Sequence, residues 1–274
     1  MLQRSIPSSG EQIPVVGLGT YQAFDVSASA SEQTALIEVL RTLVRQGGRV
    51  IDSSPMYGRA ETAIGEVAAA AGTQSQLFYA TKVWTSGKDA GIAQMEESFR
   101  RMRVSRMDLM QIHNLVDWRT HTATLKDWKA KGRIRYAGIT HYHEGAYDDL
   151  EKLLKTKAYD FVQLNYSIAE REAEERVLPL AQELGVAVIA NRPFAQANLF
   201  RRVKGKEVPP WAAEFDCASW AQFFLKYIVA HPALTCVIPA TSKPHHMADN
   251  MGAGFGKMPD ATQRQAMVKL MDAL

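Results

Sequence analysis

The sequence predicts an α/β fold, a single (β/α)₈ TIM barrel over residues 1–274, and three observations carry that prediction. Apolar runs of strand length alternate with longer helical patterns from one end of the chain to the other. The short runs show little polar alternation, as strands covered on both faces should. No linker rich in Pro, Gly or Ser interrupts the series, and 274 residues is an ordinary length for one such barrel.

Taken in order, the chain opens with Arg4–Pro7 and Gln12–Val16 flanking Ser8-Ser9-Gly10-Glu11. Polar residues and a glycine between two extended segments predict a β-hairpin, placed to close the bottom of the barrel. Eight strands are then expected at Pro14–Leu18, Arg49–Asp52, Leu77–Thr81, Met107–Ile112, Ile134–Ile139, Phe161–Asn165, Val186–Ala190 and Leu234–Ile238. All are rich in Val, Ile, Tyr and Phe. Helices fill the intervals. Leu36, Val39, Leu40, Leu43 and Val44 recur at three and four residues and stop at Gly47-Gly48. Val177, Leu178, Leu180, Ala181 and Leu184 do the same before Gly185. A doubly wound open sheet would advertise a glycine-rich first turn, but Gly17-Leu18-Gly19-Thr20 lacks the third glycine of a dinucleotide fingerprint.

Composition excludes several function classes. With 46% hydrophobic and 22% charged residues the chain can bury a large core and is not disordered. A net charge of +3 gives no argument for nucleic acid or an anionic membrane. The cluster Arg100, Arg101, Arg103 and Arg106 reads as a solvated outer face. No apolar stretch approaches a bilayer span, and Met1–Pro7 lacks the apolar core of a signal peptide. Cys217 and Cys236 sit in apolar or helical surroundings, which predicts buried reduced thiols and a cytoplasmic setting. A leader trimmed from a longer, exported precursor would leave no trace here. His141-Tyr142-His143 and His245-His246 have no third ligand at recognised spacing, so no metal is expected.

Four residues make chemical sense together. Asp52, Tyr57, Lys82 and His113 each fall at or just past the end of an expected strand, and parallel strands in one barrel all end on the same rim. A phenol needs a neighbouring cation to release a proton near neutral pH, and that cation needs a carboxylate to stay charged. An apolar strand ending in Lys82 calls for such a partner.

Here the chain resembles the aldo-keto reductase family. The resemblance rests on Val16-Gly17-Leu18-Gly19-Thr20, Ile51–Gly58 with Arg59-Ala60-Glu61, Ala80–Trp84, Met107-Asp108-Leu109 with Gln111-Ile112-His113, Val162–Tyr166, and Val237-Ile238-Pro239 through Asn250. It implies a barrel that binds a nicotinamide cofactor across its C-terminal rim and acts as an oxidoreductase on aldehydes or activated ketones. Tyr57 would be the general acid, Lys82 would lower the Tyr57 pKa, Asp52 would hold Lys82, and His113 would orient the substrate oxygen or relay a proton.

The cofactor contacts implied by the resemblance are Gly19, Thr20, Tyr21, Asp52, Thr140, His141, Gln163, Asn191, Arg192, Phe194, Ile238, Thr241, Ser242, Lys243, His246 and Asn250. Gln163 matches the family's carboxamide-binding Gln, and Asn250 its adenine-binding Asn. Around the nicotinamide the chain departs from the family pattern at two places. Thr140-His141 stands where Ser-Asn is usual, and Asn191 stands where an aromatic ring stacks on nicotinamide. Pro244 suits the first turn of a helix whose N-terminus faces the adenosine phosphate. NADPH-preferring members often carry a basic residue where Ala240 stands and an Arg where His246 stands, but Lys243 and Thr241 can still meet a 2′-phosphate, so NADPH is expected, with NADH as the other candidate. Met247, Met251 and Met258 read as core filling.

Tyr21, Trp84 and Trp118, the last expected in the loop after His113, are the candidate substrate walls. The expected partner is a small-molecule carbonyl compound in an open, permissive site, and the expected state is a monomer. Two other function classes stay open. Lys82 could form a Schiff base in a lyase of the aldolase type, or the chain could bind NADPH as a redox-sensing or regulatory protein with little turnover.

Overall fold

The six middle strands of this barrel turn apolar residues inward at the bottom and polar residues inward at the top. The computed structural model describes residues 1–26 and 29–274. Two short strands, β1 (Gln3–Ser5) and β2 (Gln12–Pro14), form the antiparallel hairpin. Eight parallel strands follow: β3 (Leu18–Gly19), β4 (Val50–Asp52), β5 (Phe78–Val83), β6 (Met107–His113), β7 (Ile134–Thr140), β8 (Phe161–Asn165), β9 (Ala187–Asn191) and β10 (Cys236–Val237). They hydrogen-bond in sequence order. Parallel bridges from Val16 to Val237 and from Gly19 to Ala240 bring the two edges together and nearly close the barrel.

Helices run between the strands, α1 (Ala30–Arg45), α2 (Ala60–Ala71), α3 (Lys88–Met102), α4 (Trp118–Ala130), α5 (Tyr147–Leu154), α6 (Val177–Leu184), α7 (Asn198–Arg202) and α8 (Trp220–Val229), and two more, α9 (Pro244–Gly252) and α10 (Ala261–Asp272), follow the last strand. Among the described residues no helix is long and apolar enough to cross a membrane.

The first expected barrel strand is displaced. Pro14 pairs with Gln3 in the hairpin, and the first barrel strand is only Leu18–Gly19, with Val16 as a single bridge. The apolar run Pro14–Leu18 serves two sheets, and no pattern within it marks the handover. The last strand is likewise trimmed from Leu234–Ile238 to Cys236–Val237. Trp118 does not lie in a loop but opens α4, where the Arg119 guanidinium covers its ring at 4.4 Å.

A period of two decides what lies inside. Ile6 and Ile13 of the hairpin join Val50, Phe78, Ala80, Leu109, Tyr136, Phe161, Ala187, Ile189, Cys236 and Ile238 in one buried cluster, distinct from the larger core between strands and helices. The hairpin thus plugs the bottom of the barrel. Glu11 fastens it, accepting from Tyr136 at 2.7 Å and pairing with Arg49 at 2.9 Å and with Arg135. Continuing the same inward parity upward reaches Asp52, Lys82, Gln111, His113, Thr140, Gln163 and Asn191.

Candidate active site

Lys82 is wholly buried, and its ammonium donates to Asp52 Oδ2 at 2.6 Å and to the Ser53 carbonyl at 2.6 Å. Burial pulls its pKa down, but Asp52 and Tyr57 beside it more than offset that, and the net direction is upward. The ammonium also lies 5.1 Å from the centre of the Tyr57 ring.

Tyr57 corrects one expectation. Lys82 does pull its pKa down, as anticipated, but burial pushes it up more strongly and the net shift is upward from the usual value. The sequence shows the charged neighbour but not the depth of burial. Gly58 sets the turn that follows: its φ is 56°, and a Cβ there would meet Asp25 Oδ1 at 2.2 Å. That same oxygen accepts from the Arg59 N–H at 2.9 Å, so the carboxylate holds the start of α2 against the turn.

His113, the last residue of β6, has its ring 6.0 Å from that of Tyr57 and 6.2 Å from that of Trp84. Burial first, then the charge of Lys82 and the His141 ring, push its pKa down to about 3, so the imidazole is neutral. Its Nδ1 is 3.0 Å from Ser54 Oγ. Asp52, Tyr57, Lys82 and His113 thus come together at one rim. Tyr21 packs edge-on to Tyr57 at 5.0 Å and is 51% exposed, while Trp84 is 41% exposed. These two rings flank Tyr57 and His113.

A buried polar network spans the mouth of the barrel. Asp52 Oδ1 accepts from Gln111 Nε2 at 3.0 Å and from Gln163 Nε2 at 2.9 Å. Gln163 Nε2 also reaches Gln111 Oε1 at 3.3 Å, and Gln163 Oε1 accepts from Thr140 at 3.2 Å and Asn191 at 3.4 Å. Both donors and both acceptor positions of the Gln163 amide are therefore engaged. To hold a carboxamide it must exchange one of those bonds. Gln111 and Ser54 had no role assigned from the sequence. Each lies two residues from a recognised site residue, and that spacing was the available signal.

The remaining cofactor candidates lie around this mouth. Thr20 Oγ1 is 2.9 Å from the Asp52 carbonyl and 3.0 Å from Ser53 Oγ, and Gly19 pairs with Asp52 in the sheet. Asn191 Nδ2 donates to the His141 carbonyl at 3.2 Å, and Arg192 to that of Tyr142 at 2.9 Å. Asn191 Oδ1 and Arg192 Nε are buried with no partner, so the end of β9 has unused hydrogen-bonding capacity. Phe194 packs away on Phe200 and Phe224. Ile238 is buried, its N–H bonded to the Ala190 carbonyl. Thr241, Ser242 and Lys243 precede α9, with Pro244 in its first turn and Thr241 Oγ1 accepting from the Lys243 N–H. His246 and the buried Asn250 lie on that helix. Hydroxyls, one ammonium and free helical N–H groups form a donor set that fits an adenosine phosphate. By contrast a 530 Å³ cavity at the end of β8 sets Glu144, Glu170, Glu172 and Glu175 against the single guanidinium of Arg171, an excess of carboxylates that does not suit one.

The model of the aldo/keto reductase family matches residues 15–266. The methylglyoxal reductase YeaE of Escherichia coli is 28% identical over 254 residues, covering 89% of this chain and 87% of the relative. An aldo-keto reductase of Mycobacterium sp. strain KMS is 30% identical over 257 residues, covering 89% and 84%. An aldo-keto reductase from Klebsiella pneumoniae, solved in complex with NADPH, superposes with a TM-score of 0.83 at 23% identity, covering 99% and 96%.

Proposed function

The chain belongs to the aldo/keto reductase family, and we propose that it reduces aldehydes or activated ketones to alcohols with NADPH, using Tyr57 as the general acid. The single observation that carries this reading is the buried Lys82–Asp52 pair beside the Tyr57 ring, with a neutral His113 on the other side.

A reduced nicotinamide held by Gln163, Thr140, His141, Asn191 and Arg192 would supply the hydride that adds to the carbonyl carbon. As that bond forms, the π electrons of the carbonyl move onto its oxygen, and Tyr57 transfers its phenolic proton there. The Lys82 ammonium stabilises the phenolate left behind, and Asp52 keeps that ammonium in place. Water then restores the phenol. His113, neutral, hydrogen-bonds the substrate oxygen and fixes its direction. Tyr57 carries its proton at neutral pH, as the reaction requires; burial raises its pKa, and the neighbouring Lys82 ammonium counters that rise.

Thr241, Ser242, Lys243 and His246 would hold the adenosine phosphate, with Asn250 at the adenine. Lys243 is the feature that favours NADPH over NADH. Gln163, Thr140, His141, Asn191 and Arg192 would meet the nicotinamide half. Tyr21 and Trp84 would wall an open substrate site, with Trp118 further out on α4. The lyase reading is weakened by Lys82 itself: its nitrogen is fully buried, bonded to Asp52 and Ser53, and its raised pKa denies it a free lone pair.

The test follows the absorbance of reduced nicotinamide over small aldehydes and quinones. The name of the E. coli relative supports including methylglyoxal. NADPH and NADH are run in parallel, with Tyr57→Phe as control. Turnover that falls about 10²–10⁴-fold in the variant is the expected result. Tight cofactor binding without turnover would replace this reading with the regulatory one.

A further inference from the structure

Ser54 is fully buried two residues beyond Asp52, and its hydroxyl lies 3.0 Å from His113 Nδ1. Among the described residues no other side-chain bond of that hydroxyl is present. Two arrangements of the pair are possible. If Nδ1 carries the imidazole proton and donates it, the Ser54 hydroxyl proton is left in the interior without an acceptor. That loss costs about 1–3 kcal/mol. If Ser54 donates to the Nδ1 lone pair, both members of this pair are satisfied and the single proton of the neutral ring sits on Nε2, the nitrogen turned away from Ser54. The second arrangement wins on hydrogen-bond satisfaction alone.

We propose that Ser54 is a positioning residue for His113: its hydroxyl donates to Nδ1 and so fixes the tautomer in which Nε2–H is offered to the substrate oxygen. The alternative tautomer would present a lone pair to the carbonyl oxygen and repel it. Ring contacts with Tyr57 at 6.0 Å and Trp84 at 6.2 Å set the plane of the imidazole, and Ser54 selects which nitrogen carries the proton. The inference rests on the carbonyl-reductase reading above. It also gives His113 the role of hydrogen-bond donor to substrate, because Nε2 already carries its proton and the one lone pair of the ring, on Nδ1, points at the Ser54 hydroxyl.

The test combines a structural and a kinetic readout on the full chain. With ¹⁵N-labelled histidine, nitrogen resonances distinguish a protonated, pyrrole-type nitrogen from an unprotonated, pyridine-type one, and His113→Asn identifies which signals belong to residue 113. The expected wild-type pattern is pyrrole-type Nε2 and pyridine-type Nδ1. In Ser54→Ala that pattern becomes a mixture and kcat falls about three- to tenfold, the worth of roughly one hydrogen bond. Binding of NADP⁺, followed by fluorescence quenching, stays unchanged. Ser54→Thr, which keeps the hydroxyl, restores both pattern and rate. A wild-type ring protonated on Nδ1 overturns the proposal, even if Ser54→Ala fails to fold. So does a folded Ser54→Ala protein with unaltered tautomer and kcat. Failure of the reductase reading looks different: the nitrogen pattern responds to Ser54 while the wild type turns over no carbonyl substrate.

Discussion

Gln163 donates to Asp52 Oδ1 across 2.9 Å, joining β8 to β4 over the top of the barrel. With Gln111 on the same oxygen and Lys82 on the other, one carboxylate organises three strands besides its own. Asp52→Asn leaves the Lys82 ammonium buried without its counter-charge and sets an NH₂ against amide donors. A loss of about 3–5 kcal/mol is expected in urea unfolding, since an uncompensated buried charge is the costly outcome of breaking such a pair. A loss below ~1 kcal/mol would mean that Lys82 is neutral in the folded protein.

The pH dependence of reduction follows from the shifts at Tyr57 and His113. In the proposed mechanism reduction needs the protonated phenol of Tyr57, whose pKa is raised by burial, so the rate should stay level through neutral pH and decline only on the far alkaline side. Alcohol oxidation needs phenolate and should rise with pH over the same range. His113, at about 3, stays neutral throughout and contributes no inflection near the usual histidine value. A reductive kcat/KM profile that breaks between pH 6 and 7 would contradict this assignment.

Gly138 on β7 makes room for Gln111. A Cβ there would lie 3.0 Å from Gln111 Cγ and 3.1 Å from the Phe161 carbonyl. Gly138→Ala should destabilise the protein by about 1–3 kcal/mol, as overpacking does. It should also slow turnover by displacing Gln111 from Asp52. Thermal unfolding unchanged within error would show that β7 and β8 give way freely at this point.

The loop after β9 carries a different weakness. Ala197 precedes α7 with φ 66°, a left-handed conformation that a Cβ disfavours. Ala197→Gly should relieve this strain and raise stability by ~0.5–1 kcal/mol, part of the gain being offset by the greater freedom of glycine in the unfolded chain. A lowered midpoint in urea would count against a left-handed residue 197.

Much of this molecule is legible in its sequence. Strand and helix patterns differ in period, so the alternation of eight β/α units follows from local side-chain order, and strands in parallel place Asp52, Tyr57, Lys82 and His113 at one rim. The hairpin turn is likewise local chemistry. The sharing of Pro14–Leu18 between hairpin and barrel was not legible, because an apolar run does not say which partner pairs with which residue. Nor were the bonds of Gln163 to Asp52 and Ser54 to His113, since each joins residues brought close only by ring closure. The net rise at Tyr57 belongs to the tertiary structure for the same reason: a sequence records which charges are near in the chain, whereas burial depends on everything that packs around them.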